Sequence, residues 1–212
     1  LVRKRRHDAT TFGETVTVAE VLGITPVFDA FRSGDRWLVV WLAQYDRSTS
    51  GFQPEGAYSD DEGETWSRFI FDELKGHDVA SMDVAVDHQG HVLVAVTARR
   101  RDTAAEQRHN VYLLRSGDHG TTWSAPQPLR PLGELDAYHA RHPAVAFGPK
   151  PGSAIVVWED WREIRARLYA SLSEDFGATW TQGNIPLPHP PTVNLRMTQE
   201  LSPIFVQDGR FN

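Results

Sequence analysis

A chain of 212 residues, 40% hydrophobic and 24% charged, has the composition of an ordinary folded protein and is long enough to bury a sizeable core. A formal net charge of -6 excludes a general nucleic-acid binder, which needs a basic face to meet phosphate, and the absence of cysteine excludes disulfides and thiolate metal sites. No run of about 18 apolar residues is present, so the sequence holds no membrane-spanning helix.

The chain opens on Leu1-Val2-Arg3-Lys4-Arg5-Arg6, a basic stretch without the apolar segment of a secretion signal, which reads as a solvated tail. The first residue is not Met, so a preceding region or a removed signal stays open. Next come a short strand at 25–28, a nearly continuous apolar run at 37–41 and a third strand at Ala57-Tyr58. The same order returns at 82–86, 92–96 and 110–114, and again at 142–147, 154–158 and 166–172. Runs that are apolar on both faces suit strands buried between stacked sheets. Thr103 to Arg108 is too short for a stable helix and reads as loop or a single turn. A fourth opening strand is expected at 202–206, after a stiff proline-rich connector at 186–191.

After each third strand the same eight-residue pattern, S-x-D-x-G-x-T-W, recurs at a constant spacing of 57. The first copy places Ser59, Asp61, Gly63, Thr65 and Trp66; the second Ser116, Asp118, Gly120, Thr122 and Trp123; the third Ser173, Asp175, Gly177, Thr179 and Trp180. The residue types describe a tight hairpin. The Asp accepts backbone N–H bonds, the Gly takes a positive φ that other residues resist, and Ser and Thr hydroxyls satisfy further turn groups. The Trp then falls on the returning strand, where its ring wedges between packed sheets and contributes on the order of a few kcal/mol of burial.

Strand, strand, strand, box turn, strand makes one four-stranded propeller blade, and a fixed period of this size is the mark of a propeller or solenoid. The expected fold is therefore all-β, a β-propeller of four-stranded antiparallel blades, with three full blades and part of a fourth. The expected divisions are 1–22, a tail or a strand of a preceding blade; 23–75, 76–133 and 134–190, one blade each; and 191–212, the first strand of a further blade. The three boxes resemble those of the sialidase (neuraminidase) superfamily, the Asp-box or BNR repeat, over nearly the whole chain from about Gly23. That resemblance implies a ring of six blades when complete. The ring is then expected to be completed by sequence outside this chain, or less readily by a second copy, since open blade edges invite strand pairing.

The resemblance also implies a constellation: three arginines gripping a sialic acid carboxylate, an Asp acid/base, and a Tyr nucleophile assisted by Glu. Arginine suits the carboxylate because its planar fork makes bidentate, always-charged contacts. The family's R-x-P-A stretch matches only Arg141-His142-Pro143-Ala144, which makes Arg141 a candidate substrate-binding residue. The acid/base, on a loop after the second strand of that blade, falls on Asp160. The second blade offers a different half-match, a strand ending in Ala98-Arg99, but Ala80-Ser81-Met82 stands where its R-x-P is expected. Neither the Tyr/Glu pair nor the other two arginines has a match. The bland alternative makes Pro143 a strand-opening residue like Pro26 and Pro203, with Asp160 and Arg162 a surface loop pair.

Trp41 and Trp158 hold equivalent repeat positions and read as blade packing, which leaves Trp161 as the aromatic residue expected to face a ligand. The run Arg99-Arg100-Arg101 reads as a charged loop neutralised by Asp102 and Glu106. Nine histidines show no metal-ligand spacing, and neither a metal nor a cofactor is expected. The resemblance points to a carbohydrate-recognising protein, an exo-α-sialidase or a glycan binder, in a secreted or periplasmic setting. The alternative is a non-catalytic Asp-box propeller that binds a protein partner or serves as a scaffold.

Overall fold

The computed structural model describes residues 2–3, 15–21, 28–44, 51–101, 108–130, 138–163, 165–181, 185–188, 206–207 and 210–211. The turn at 103–107 and most of the fourth opening strand lie outside these residues. A two-stranded pair, β1 (Val2–Arg3) and β2 (Thr15–Val16), precedes three four-stranded antiparallel blades, the first two joined into one eight-stranded sheet by a single bridge between Phe52 and Val79. The first sheet runs β3 (Phe28–Ser33), β4 (Arg36–Gln44), β5 (Phe52–Ser59), β6 (Ser67–Ile70). The second runs β7 (His77–Val86), β8 (Val92–Arg100), β9 (Asn110–Ser116), β10 (Gln127–Pro128). The third runs β11 (Ala140–Phe147), β12 (Ala154–Asp160), β13 (Arg167–Ser173), β14 (Ile185–Pro186). A last pair, β15 (Val206–Gln207) and β16 (Arg210–Phe211), follows. This is the all-β, blade-by-blade architecture the repeat implies.

Register makes the blades superimposable residue by residue. Trp37, Val92 and Ala154 each pair with the opening Ser of their own box, so Trp41, Val96 and Trp158 fall at one position. The third strand of the first sheet begins at Phe52, five residues before Ala57, because Pro54 and Gly56 disguise a segment that pairs with β4 along its whole length.

Sheets stack through the alternation of their second strands. Val40 and Leu42 of β4 face Val92, Val94 and Val96 of β8, with Phe71, Tyr112 and Leu114 completing a dry layer. Leu93 and Ala95 point the other way and meet Val156, Trp158 and Trp180 of the third sheet. The far face of the first sheet, Trp41, Ala43 and Ala57, is covered by Val18 and Ala19 from the segment after β2. Each layer removes apolar surface at about 25 cal/mol per Å², which is the main force holding one blade on the next.

The three boxes repeat one hydrogen-bond set. The Ser hydroxyl donates to the Asp carboxylate at 2.8, 2.7 and 2.8 Å and accepts the Gly N–H at 2.7, 2.9 and 2.9 Å. The last Thr donates to the same Asp from its backbone N–H at 2.9, 2.9 and 2.8 Å and from its hydroxyl at 2.6, 2.7 and 2.6 Å. These donors, led by the Thr65 hydroxyl, hold the Asp61 carboxyl down at about 2. The residue before each Gly is also left-handed, with φ of 57, 58 and 57° at Glu62, His119 and Phe176. Two successive positive φ values, spanned by the Glu64 N–H to Asp61 O bond and its counterparts from Thr121 and Ala178, are the signature of a type I′ turn inside the loop, so the sequence pattern marks only one of the two strained positions.

Boxes also clamp neighbouring blades. Arg36 of β4 donates to Asp60 at 2.7 and 2.9 Å and to Thr121 of the next box at 2.7 Å, and Ser33 bonds His119 Nδ1 at 2.9 Å. Gly177 seats against the second sheet: a Cβ there would lie 2.6 Å from Leu93, at a φ of 79°. Gly177→Ala is accordingly expected to destabilise the fold by about 1–3 kcal/mol through backbone strain and overpacking, read as a lowered thermal midpoint with unchanged far-UV circular dichroism.

Candidate functional site

The opening strands β7 and β11 lie side by side along the line where the second and third sheets meet. Each is interrupted near its start by an irregularity, between Val79 and Ser81 in β7 and between Arg141 and Ala144 in β11, where His142 takes a φ of 48°. Such bulges re-aim side chains at a sheet rim. Between them lies a cleft of about 330 Å³. Ser81 and Thr97 line one side, His109 stands at the head of β9, and His139, Arg141 and His142 line the other.

The lining is polar but weakly charged. Ser81 and Thr97 hydroxyls bond each other at 2.5 Å. The His109 and His139 rings stack, with centroids 5.7 Å apart and planes 22° from parallel. Burial, with the charges of His139, Arg99 and Arg141 nearby, lowers His109 to about 4; burial together with Arg141, Arg108 and Arg130 lowers His139 as well. Both imidazoles are thus neutral at physiological pH, and each offers one donor and one acceptor nitrogen. His139 Nδ1 is buried without a hydrogen-bond partner. His142 Nδ1 lies 3.0 Å from Glu159 Oε2.

The three sequence candidates of this blade converge here in unequal ways. The Arg141 guanidinium lies 5.7 Å over the Trp161 ring, a cation–π pair at the lip of the cleft. Trp161 is half-buried and donates its backbone N–H to His139 O at 3.0 Å, while its indole Nε1 is a buried donor without a partner. Asp160 is wholly buried. Its carboxylate accepts from Trp158 Nε1 at 3.0 Å, from Arg162 at 2.6 and 2.9 Å and from the buried Arg130 at 3.4 Å. Burial alone would raise this carboxyl, but the Arg162, Trp158 and Arg130 donors outweigh it and hold the group below the usual carboxylate range.

Arg130 and the His109–His139 pair carry no sequence signal. They sit 30 residues from Asp160 and from each other respectively, and only the stacking of sheets brings them together. In the second blade Arg99 and Arg101 both close on Asp78, at 3.1 and 2.6 Å, so this arginine run finds its anion on the paired strand. Among the described residues no group of three or more His, Asp or Glu is arranged to hold a metal ion.

The family model described as BNR repeat-like domain matches residues 30–183, well over half of the chain. The chain belongs to the BNR repeat-like family. Among solved structures this BNR chain is similar to Trypanosoma rangeli sialidase in complex with 2,3-difluorosialic acid, a covalent intermediate, at 19% identity and a TM-score of 0.51, covering 76% of this chain and 30% of that one. The same sialidase in complex with sialic acid matches at 19% identity and a TM-score of 0.51, over 85% of this chain and 32% of the sialidase. Penicillium chrysogenum α-L-arabinanase complexed with arabinobiose matches at 16% identity and a TM-score of 0.52, over 76% and 49%. The BNR chain thus spans about a third of the sialidases' length and half of the arabinanase's, and at these identities the likeness is one of fold. No curated protein matches it.

Proposed function

We propose that this chain is the glycan-recognising part of a BNR propeller, taking an acidic sugar at the mouth between its second and third blades. The observation that carries the reading is Arg141 lying over Trp161 at the edge of a cleft lined by hydroxyls and neutral imidazoles. A guanidinium suits a sugar carboxylate, an indole face suits the apolar side of a pyranose, and neutral donor–acceptor groups suit ring hydroxyls. The neighbouring folds that bind sialic acid and arabinobiose are consistent with a carbohydrate ligand.

Recognition is favoured over hydrolysis. A general acid needs a carboxyl that is protonated near working pH and reaches the scissile oxygen, and Asp160 is wholly buried, with its carboxyl held low by the donors from Arg162, Trp158 and Arg130. The same reading puts the protein in a secreted or periplasmic setting, and no helix among the described residues is long and apolar enough to cross a membrane. The test is calorimetric titration of the full-length protein with 3′-sialyllactose and with an oligogalacturonate at neutral pH. Arg141→Ala is expected to weaken binding by about tenfold or more, as loss of a charge-assisted hydrogen-bond pair does, and Trp161→Ala by a similar factor. A full-length wild type that binds neither glycan refutes the reading and leaves the mouth to a protein partner.

A further inference from the structure

The turn that carries Trp161 is fixed on every side by polar contacts converging on Asp160. Its Oδ1 accepts the Arg162 backbone N–H at 2.9 Å, and its Oδ2 accepts Arg162 Nη2 at 2.6 Å, Trp158 Nε1 at 3.0 Å and Arg130 Nη1 at 3.4 Å. Arg130, as buried as Asp160, donates to Tyr138 O at 2.6 Å, and its own carbonyl accepts Asn110 Nδ2 at 3.3 Å. One carboxylate therefore ties the end of β12 to the start of β9 in the second sheet and to the stretch leading into β11. On the far side of the turn the Arg162 guanidinium lies 4.2 Å over the Tyr169 ring, whose hydroxyl donates to Glu163 at 2.9 Å. Between these anchors Trp161 has a backbone bond to His139 O and its ring under Arg141.

A buried carboxylate with two guanidiniums is weak as a source of stability, since desolvation offsets most of the attraction, and strong as a constraint on geometry. We infer that Asp160 is the positioning residue of the mouth: from a fully buried seat it sets the 160–163 turn so that the Trp161 indole stands beneath Arg141. Its charge acts on Trp161 through Arg162 and Arg130, and it touches no ligand. For the ligand this rests on the glycan-binding reading above; for the geometry it does not.

The experiment labels the full-length protein with 5-fluorotryptophan and records fluorine NMR spectra, the Trp161 line being assigned with Trp161→Phe. In Asp160→Asn the Trp161 line is expected to broaden or split, and the Trp158 line to shift because it loses its charged acceptor, while the lines of Trp37, Trp66 and Trp180 stay put. Affinity for 3′-sialyllactose should fall by at least tenfold in the same variant. Should Asp160→Asn fail to fold, Arg162→Gln leaves the Asp160–Arg130 pair balanced and is expected to broaden the Trp161 line in the same way. A sharp, unmoved Trp161 line in a folded variant would falsify the positioning role whether or not the wild type binds the glycan. So would sialoside turnover by the wild type whose kcat alone falls in Asp160→Asn with KM unchanged, the behaviour of an acid/base. Failure of the wild type to bind 3′-sialyllactose, with the Trp161 line broadened in the variant, sinks only the glycan reading.

Discussion

Trp180→Ala is expected to lower the unfolding free energy by about 3–5 kcal/mol, the range for removing a large buried aromatic, as a drop in denaturant midpoint. Trp180 is buried, packs into the layer formed by Leu93, Val111 and Leu113 of the second sheet, and donates its Nε1 to Gly177 O at 3.1 Å. The same change at Trp66 removes an identical motif residue with the same hydrogen bond, at 3.2 Å to Gly63 O. Its ring is only partly buried, against the small cluster of Trp41, Ala43 and Ala57, so the expected loss is about half as large. Trp123 differs again: its Nε1 is buried without a partner, and its ring rests on Phe71 at 4.8 Å and Phe69 at 6.4 Å instead. Comparable losses at Trp66 and Trp180 would refute the view that the layer behind each box, and not the box itself, sets the energy.

That contrast marks how far the sequence is readable. The box is written into eight consecutive residues because nearly all its hydrogen bonds close within four positions, as between Asp61 and Thr65. The order of strands is equally legible, since runs such as 92–96 are apolar on both faces for a reason, each face meeting a different sheet. Strand β5 is less so, because Pro54 and Gly56 break the pattern while Phe52 to Ser59 still pair. The mouth is legible in part. Arg141 is singled out by the R-x-P-A stretch and Trp161 by standing outside the repeat-equivalent tryptophans, whereas His109 and His139 reach the cleft, and the buried Arg130 reaches Asp160, from separate segments whose meeting is set by how sheets stack and where their opening strands bulge. Motif resemblance gives Asp160 an acid/base role, yet its environment depends on Arg130 from the blade before, which local sequence cannot convey.

Asp83→Asn is expected to stabilise the protein at neutral pH, with a gain that disappears in acid. Asp83 faces inward from β7, and its Oδ2 accepts the Val145 N–H of β11 at 2.7 Å, a side chain closing the edge of the next blade's opening strand. Asp29 holds the same register position in the first blade, since Asp29 pairs with Val40 as Asp83 does with Ala95. Burial drives Asp83 up to about 6, against the backbone N–H groups of Val145 and Val84 and with added repulsion from Asp29, which burial also raises. A carboxyl whose folded value lies above its unfolded one favours folding when protonated. Its contribution is fully present below about pH 4, falls as pH rises toward 6, and is then lost, at about 1.4 kcal/mol per unit of difference. Asparagine keeps a carbonyl acceptor for Val145 and carries no charge, so its advantage over wild type should grow between pH 4 and 6 and plateau at about 2–3 kcal/mol above that range. Urea melts of both proteins at pH 4, 5, 6 and 7.5 measure it. A difference that is flat across those values, or that favours the wild type at pH 7.5, would mean that Asp83 is ionised at little cost and that water reaches the seam between the second and third blades.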